Sequence, residues 1–356
     1  METGMIQSRI EERFRKQVKA DKKVKNAYLL VHSDRHGIHM NLAEGHTDGV
    51  EAHPDQPHYM ASAGKLFTAT VVAILHEQGV LSFDDPIARH LNNELMDGLH
   101  IYRGKDYSDA ITIRHLLQQS SGLADVFWPL LKQIMQEPRR LSPREAILWG
   151  KEHLRPKARP GTKHVYTDTN YYLLGLIVEQ VTGRPFHEAL HRYIFDPLQM
   201  KHAYMQGYSE PAEPSAYPRA RYYVNGLDPS TLEGFYQIDY AGGGVVATSE
   251  EYLAFIRALI GSRLVRKETL DRMRSDNLPM GFPQFNIRYG YSIWTFTSIP
   301  LLMPEAYSCW GCVGVTGSYL MHHPATGAFV VLGFNDVSYR SKAFRFMLSN
   351  VIKPLL

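Results

Sequence analysis

Ile6, Ile10, Phe14 and Val18 recur every four positions among charged neighbours, which predicts an amphipathic N-terminal helix whose apolar stripe packs on a sheet. Ala27 to Val31 and Gly37 to Ala43 flank the polar run Ser33-Asp34-Arg35-His36, so a β-hairpin is expected next. From Ser62 to Gln78 the apolar positions Leu66, Phe67, Val71, Ile74 and Leu75 keep helical spacing, and Gly79 supplies a C-terminal stop. Ser62 is thereby expected to open a helix with a buried face.

Between residues 80 and 234 the pattern gives helical patches joined by long loops: Ile113 to Gln119, Ser142 to His153, Asn170 to Val181 and His187 to Phe195. Strand character returns at Gly244 to Ala247. Thr248 and Glu251 then have capping-box spacing before a helix through Ile260. Tyr291 to Thr297, Val315 to His322 and Ala328 to Phe334 read as strands, the last two joined by Pro324-Ala325-Thr326-Gly327, and a helix from about Ser341 to Ile352 ends the chain. Strands at both ends with helices between predict an α+β fold. Residues 1–79 and 235–356 would form an antiparallel β-sheet flanked by helices, and residues 80–234 an inserted, mainly helical domain.

The chain has 356 residues, 44% hydrophobic, enough for a full-sized core. Its 39 basic and 36 acidic residues leave a net charge of +3, scattered and not gathered into blocks, so neither nucleic acid nor a membrane is the expected partner. Met1 to Asn26 lacks the apolar run of a signal peptide, and no segment reaches about 18 consecutive apolar residues. A soluble, cytoplasmic protein is expected. The two cysteines, Cys309 and Cys312, form a CxxC pattern inside a predicted strand, where their side chains point to opposite faces and a disulfide does not fit.

Ser62-Ala63-Gly64-Lys65 is the one place where a lysine follows a serine by three residues. At a helix N-terminus, free backbone N–H groups favour negative charge developing on the serine oxygen, and an i,i+3 lysine shares its face. A desolvated lysine there could accept or relay the serine proton. The plain alternative is a capping serine beside an exposed lysine.

Further stretches tilt the balance. Gly79-Val-Leu-Ser-Phe-Asp-Asp-Pro86, Ile111-Thr-Ile-Arg-His-Leu-Leu117 with Ser120-Ser-Gly-Leu123, Pro160-Gly-Thr162 running into Tyr166-Thr-Asp-Thr-Asn-Tyr-Tyr-Leu-Leu-Gly175, and Ala241-Gly-Gly-Gly-Val-Val-Ala-Thr248 accompany the SxxK motif. Together they resemble the serine β-lactamase and penicillin-binding-protein family, especially its class C-like branch of esterases, D-aminopeptidases and DD-peptidases. The resemblance implies an active site in the cleft between the two domains, Ser62 as nucleophile, Lys65 in proton transfer and Tyr166, which opens a Y-x-N-like motif, as general base and acid. The backbone amides of Ser62 and Val315 would form the oxyanion hole.

Two departures bear on substrate. Asp168 stands where the motif has asparagine; it would keep Lys65 charged and leave Tyr166 as the better base, or it caps the helix that follows. Cys312-Val313-Gly314 aligns with the family's Lys-Thr-Gly or His-x-Gly, so a cation is missing and Cys312 is at most a weak donor. Gly314 still lets a substrate backbone approach. Ester or neutral amide hydrolysis is therefore expected ahead of efficient β-lactam turnover, with a small molecule or peptide as substrate and no cofactor. Of the aromatic residues Phe127, Trp128, Tyr240, Tyr307 and Trp310, Trp128 and Tyr240 are expected to line the cleft, beside Asp168, Cys312 and Gly314.

Two rivals remain. One is a catalytically degenerate binding protein of the same fold, motivated by Cys312 and Asp168. The other is a zinc peptidase built on His187-Glu188-Ala189-Leu190-His191, an HExxH pattern. Pro185 and Asp196-Pro197 bound that helix tightly and no third ligand follows at a standard spacing, so surface or packing histidines are the expected reading. Gly242-Gly243-Gly244 lacks the lysine of a phosphate loop and fits close strand packing. Nothing in the sequence specifies the oligomeric state.

Overall fold

The computed structural model describes residues 2–299 and 303–356. Helix α1 (Glu2–Ala20) buries Ile10, Phe14 and Val18, as its four-residue spacing predicts. Phe14 meets Phe334 and Phe346, each at 6.3 Å between ring centroids, so the two ends of the chain share one core.

Strands β1 (Asn26–Ser33) and β2 (Ile38–Thr47) form the predicted hairpin; a 3₁₀ turn at Asp34–His36 reverses the chain and Gly37 closes it at φ 60. With β3 (Val50–Glu51), β4 (Leu278–Pro279), β5 (Ile287–Tyr289), β6 (Trp294–Phe296), β7 (Cys309–Gly314), β8 (Ser318–His323) and β9 (Ala328–Gly333), they build a nine-stranded antiparallel sheet. Its order is β3-β2-β1-β9-β8-β7-β6-β5-β4 among the described residues. The first and last parts of the chain meet where Leu30 pairs with Val331. Every position of β1 is buried, because helices cover both faces of the sheet. The fold is thus α+β, with an antiparallel sheet flanked by helices, as the sequence predicts.

Helix α2 (Lys65–Glu77) is buried from Lys65 to Leu75 without interruption. A helix apolar all round belongs in a core, which makes the charge at its first residue costly unless it is paired. The capping box predicted at Thr248 is present: Thr248 Oγ1 accepts from the Glu251 amide at 3.3 Å and Glu251 Oε2 accepts from the Thr248 amide at 2.9 Å. A neighbouring residue in that helix, Glu250, bonds His39 of β2 at 3.0 Å and ties the helix to the sheet.

Three local expectations are corrected. Ser62 does not open the α-helix; it lies in a 3₁₀ turn (Ala61–Gly64), because Ala61 adopts φ 48 and the chain must tighten before it can enter α2. Val315 is not in a strand, since Val315-Thr316-Gly317 forms the reversal between β7 and β8. Trp294–Phe296 is paired, whereas Tyr291 and Ser292 bend ahead of it. No helix among the described residues is long and apolar enough to cross a membrane.

Candidate active site

The turn that carries Ser62 is gripped by backbone from two other elements. A β-carbon added to Gly64 would lie 2.9 Å from the Gly243 carbonyl oxygen, and one added to Gly314 would lie 2.1 Å from the Met60 carbonyl oxygen. Only glycine permits these approaches. Gly242-Gly243-Gly244 thus packs closely against the turn through Gly243, but it ends a helix (Phe235–Gly243) and does not lie in the strand that was expected, which begins only at Val245. At Gly314 the missing side chain makes room for the Met60 backbone, and the residue itself lines the cleft.

Lys65 lies one turn behind Ser62 and is fully buried. Its Nζ donates to Ser62 Oγ at 3.1 Å, to the Asp168 carboxylate, and to the Gly242 carbonyl oxygen. All three ammonium protons thus have acceptors. Burial alone would lower the lysine's pKa, but the Asp168 charge, followed by Tyr166, outweighs it, and the pKa is raised above the ordinary value. Lys65 is accordingly a fixed ammonium. Asp168 begins helix α3 (Thr169–Thr182) without capping it through its side chain, so of its two expected roles the structure shows the pairing with Lys65.

The segment that carries Tyr166 and Asp168 is held by the loop before helix 127–136. Asp125 Oδ1 accepts from the Asp168 amide at 2.8 Å and from Thr167 Oγ1 at 3.2 Å, while Gln119 Oε1 accepts from the Thr167 amide at 3.0 Å. Tyr166 packs its ring edge-on against Tyr289, with centroids 6.1 Å apart, and Lys65 Nζ sits 5.3 Å from its own centroid. Burial pushes the phenol up to about 12; Lys65 and a hydrogen bond with the Ser62 side chain act the other way.

Ser62, Tyr166, Asp168, Val315 and Gly314 line one cleft of about 270 Å³, together with the half-exposed Trp128. The amides of Ser62 and Val315 donate to no acceptor among the described residues, which leaves two N–H groups free beside the serine. Two expected cleft residues lie elsewhere. Cys312 is fully buried, and its thiol contacts the Ser62 carbonyl oxygen at 3.4 Å from beneath the turn. Tyr240 belongs to the core, where its hydroxyl donates to Glu179 and its ring packs on Phe186 and Tyr208. Tyr307 and Trp310 also stay out of the cleft, whereas Phe127 enters it.

Two residues that sequence reasoning missed complete the site. Asp239 lines the cleft although it is only 7% exposed; burial pushes its carboxyl up to about 7, and Tyr59 donates to its Oδ2 at 2.8 Å. Asp125 is pushed up to about 6, by burial and then by the charge on Asp168. A lone acid in the apolar run Phe235 to Ala241, just ahead of the three glycines, was the available signal for Asp239.

The HExxH histidines sit apart. Glu188 pairs with Arg184 at 3.4 Å, His191 faces Ser209 at 3.3 Å, and the helix changes to a π turn at His191. No group of three or more metal-ligating side chains is assembled among the described residues. Cys309 and Cys312 are free thiols, each pushed up to about 12 by burial. Neither is expected to react with a water-soluble aromatic disulfide in the native protein, and both are expected to react once it is unfolded. Thiol titration with and without denaturant checks this, and rapid native reaction would contradict the burial.

The likeness to known proteins extends over nearly the whole chain. A family-wide sequence model described as Beta-lactamase matches residues 13–349. Protein flp of Staphylococcus aureus (strain MW2) is 31% identical over 168 residues, covering 46% of this chain and 32% of that protein. The putative penicillin-binding protein PbpX of Bacillus subtilis (strain 168) is 26% identical over 239 residues, covering 65% and 55%. The chain thus spans about a third to a half of the length of these curated relatives. Among solved structures, the D-amino acid amidase from Ochrobactrum anthropi SV3, complexed with D-phenylalanine, superposes with a TM-score of 0.79 at 20% identity, covering 98% of each chain. That last likeness is one of fold.

Proposed function

Because the chain belongs to the Beta-lactamase family, whose model matches all but its two ends, we propose that it is a serine hydrolase that cleaves an ester or amide through an acyl-enzyme on Ser62. The observation that carries this reading is the convergence on one cleft of Ser62 Oγ, the Lys65 ammonium 3.1 Å away, the Tyr166 phenol and two free backbone amides.

The protonation states suggest how the proton moves. Lys65 is an ammonium with all its protons engaged, so it stabilises negative charge on Ser62 Oγ and does not take the serine proton. Tyr166 is a neutral phenol at rest. It can accept the serine proton while passing its own to the departing amine or alcohol, which needs no free phenolate. Ser62 Oγ then forms the bond to the carbonyl carbon, the oxyanion settles on the Ser62 and Val315 amides, and the leaving group departs carrying the proton from Tyr166. Water enters by the reverse relay, releasing the acid and restoring Ser62.

No cation stands at Cys312, and Arg340 at the exposed rim is the only arginine or lysine besides Lys65 to approach this cleft among the described residues. Acyl groups bearing a carboxylate, as in penicillins, are therefore disfavoured relative to neutral esters and amides.

The test is intact-mass spectrometry after brief exposure to a fluorophosphonate, an activated ester and a penicillin. The wild-type protein is expected to gain one adduct from the first two and little from the third, and Ser62→Ala to gain none. Absence of any adduct on the wild type would favour a binding protein without turnover; an adduct that survives in Ser62→Ala would move the nucleophile elsewhere.

A further inference from the structure

Asp239 has no part in the proton relay, yet it is a carboxylate in the wall of the reaction cleft. Its two oxygens differ. Oδ2 accepts from Tyr59 at 2.8 Å, whereas Oδ1 has no hydrogen-bond donor among the described residues. The side chain as a whole is more than nine-tenths buried, yet Oδ1 is not among the buried polar atoms that lack a partner, so this oxygen opens on the cleft. It is therefore free to accept a hydrogen bond from a group bound in the cleft, while Tyr59 occupies the other oxygen.

Position indicates what that donor is attached to. A methyl group built on Gly243 would meet Asp239 Oδ1 at 2.8 Å and the Ala61 carbonyl carbon at 3.0 Å. This oxygen therefore lies near the peptide bond leading into Ser62. Ser62 and Asp239 line the same cleft, so a substrate held at Ser62 lies beside this carboxylate.

The surrounding charges favour a cation. Lys65 is already neutralised by Asp168, and Asp125 lies behind that pair. Cys312 brings no charge. A positive group arriving at Oδ1 would meet an acid paired with no cation, the cleft's other basic group, Arg340, standing at its exposed rim without an ion pair to Asp239 among the described residues.

We propose that Asp239 is a specificity-determining residue that receives, on Oδ1, a primary ammonium group carried by the acyl half of the substrate close to the scissile carbonyl. The substrates would be aminoacyl esters or amides with a free amine. Tyr59 orients the carboxylate by holding Oδ2. At rest, burial and the neighbouring Asp168 leave Asp239 readily protonated, with a value of about 7 that Tyr59 and Lys65 only partly offset. An ammonium on Oδ1 would draw it to the ionised form, so binding of the cation and ionisation of its receptor reinforce one another.

This inference rests on the Ser62 hydrolase reading, and one assay separates the two. Glycinamide and propionamide have nearly the same size and differ by an ammonium in place of a methyl. Each is used to protect Ser62 from fluorophosphonate labelling, followed by intact mass. In the wild type, glycinamide is expected to halve the labelling rate at a concentration about 10- to 100-fold lower than propionamide. In Asp239→Asn that ratio is expected to fall to within about threefold of one.

Equal protection by the two amides in the wild type overturns the proposal while labelling itself upholds the hydrolase reading. So does a preference for glycinamide that Asp239→Asn retains. Failure of the wild type to label at all removes both. The wild-type comparison decides the matter even if the variant does not fold.

Discussion

Tyr166→Phe is expected to lower kcat/KM for an ester or anilide by about 10²- to 10⁴-fold, the usual contribution of a positioned general acid–base group. The hydroxyl is the only part lost. The ring keeps its contacts with Tyr289, Trp294 and His164, so thermal stability should change little. The rate of Ser62 acylation should fall by a similar factor, because the same proton must leave Oγ before the new bond is complete. Lys65 cannot substitute, since its three protons are already given to Ser62, Asp168 and Gly242. Steady-state kinetics and timed labelling on the purified variant give both quantities. A loss of less than about tenfold in each would mean that the serine proton leaves by another route.

The difference between what the sequence disclosed and what it withheld follows from how each residue is placed. Ser62 and Lys65 are three residues apart, and local spacing alone puts them together, whichever helical form the turn takes. Tyr166 and Val315 were reached through motifs and not through geometry. The long strands β1, β2, β8 and β9 were legible because they alternate or run apolar over five or more residues, whereas the two- and three-residue strands β3, β4 and β5 carry too few positions to show a period, and Val315 was misplaced into a strand because a three-residue reversal between two apolar strands leaves little mark on the pattern.

Tyr240 and Asp239 show the limit most clearly. Helix α4 (Phe235–Gly243) is interrupted at Tyr240, whose φ of 34 and ψ of −130 are not helical. Beyond such a break neither helical nor strand periodicity says which side chain faces which way. The aromatic residue was expected in the cleft; the chain's turn sends it to Glu179 in the core and leaves its acidic neighbour lining the cleft. Asp125 was beyond reach for another reason. Its partners, Thr167 and Asp168, lie more than forty positions away in sequence, and nothing in the local pattern around it signals the contact.

Asp168→Ala is expected to destabilise the protein by about 3–5 kcal/mol, the cost of leaving a buried charge without its partner. Lys65 would keep only the Ser62 hydroxyl and the Gly242 carbonyl oxygen as acceptors. Asp168→Asn should cost less, because an amide oxygen can still accept one hydrogen bond, and its pH dependence is diagnostic. In the wild type the pKa of Lys65 is raised above its ordinary value of 10.5, so the stability it contributes is fully present below that pH and is lost only as pH rises through the folded value. In the Asp168→Asn variant the opposing burial effect dominates and the folded pKa of Lys65 drops below 10.5. The unfolded chain then binds the extra proton, so the stability of the variant relative to the wild type rises with pH. Denaturant midpoints compared between about pH 8 and 10 isolate this effect as the difference between the two slopes, since Asp125 and Asp239, at about 6 and about 7, are largely ionised there and the buried thiols Cys309 and Cys312 lower stability with pH alike in both proteins. Equal slopes for wild type and Asp168→Asn, together with a cost below about 1 kcal/mol for Asp168→Ala, would show that this carboxylate does not hold Lys65 as an ammonium, and that the lysine is free to act as the base.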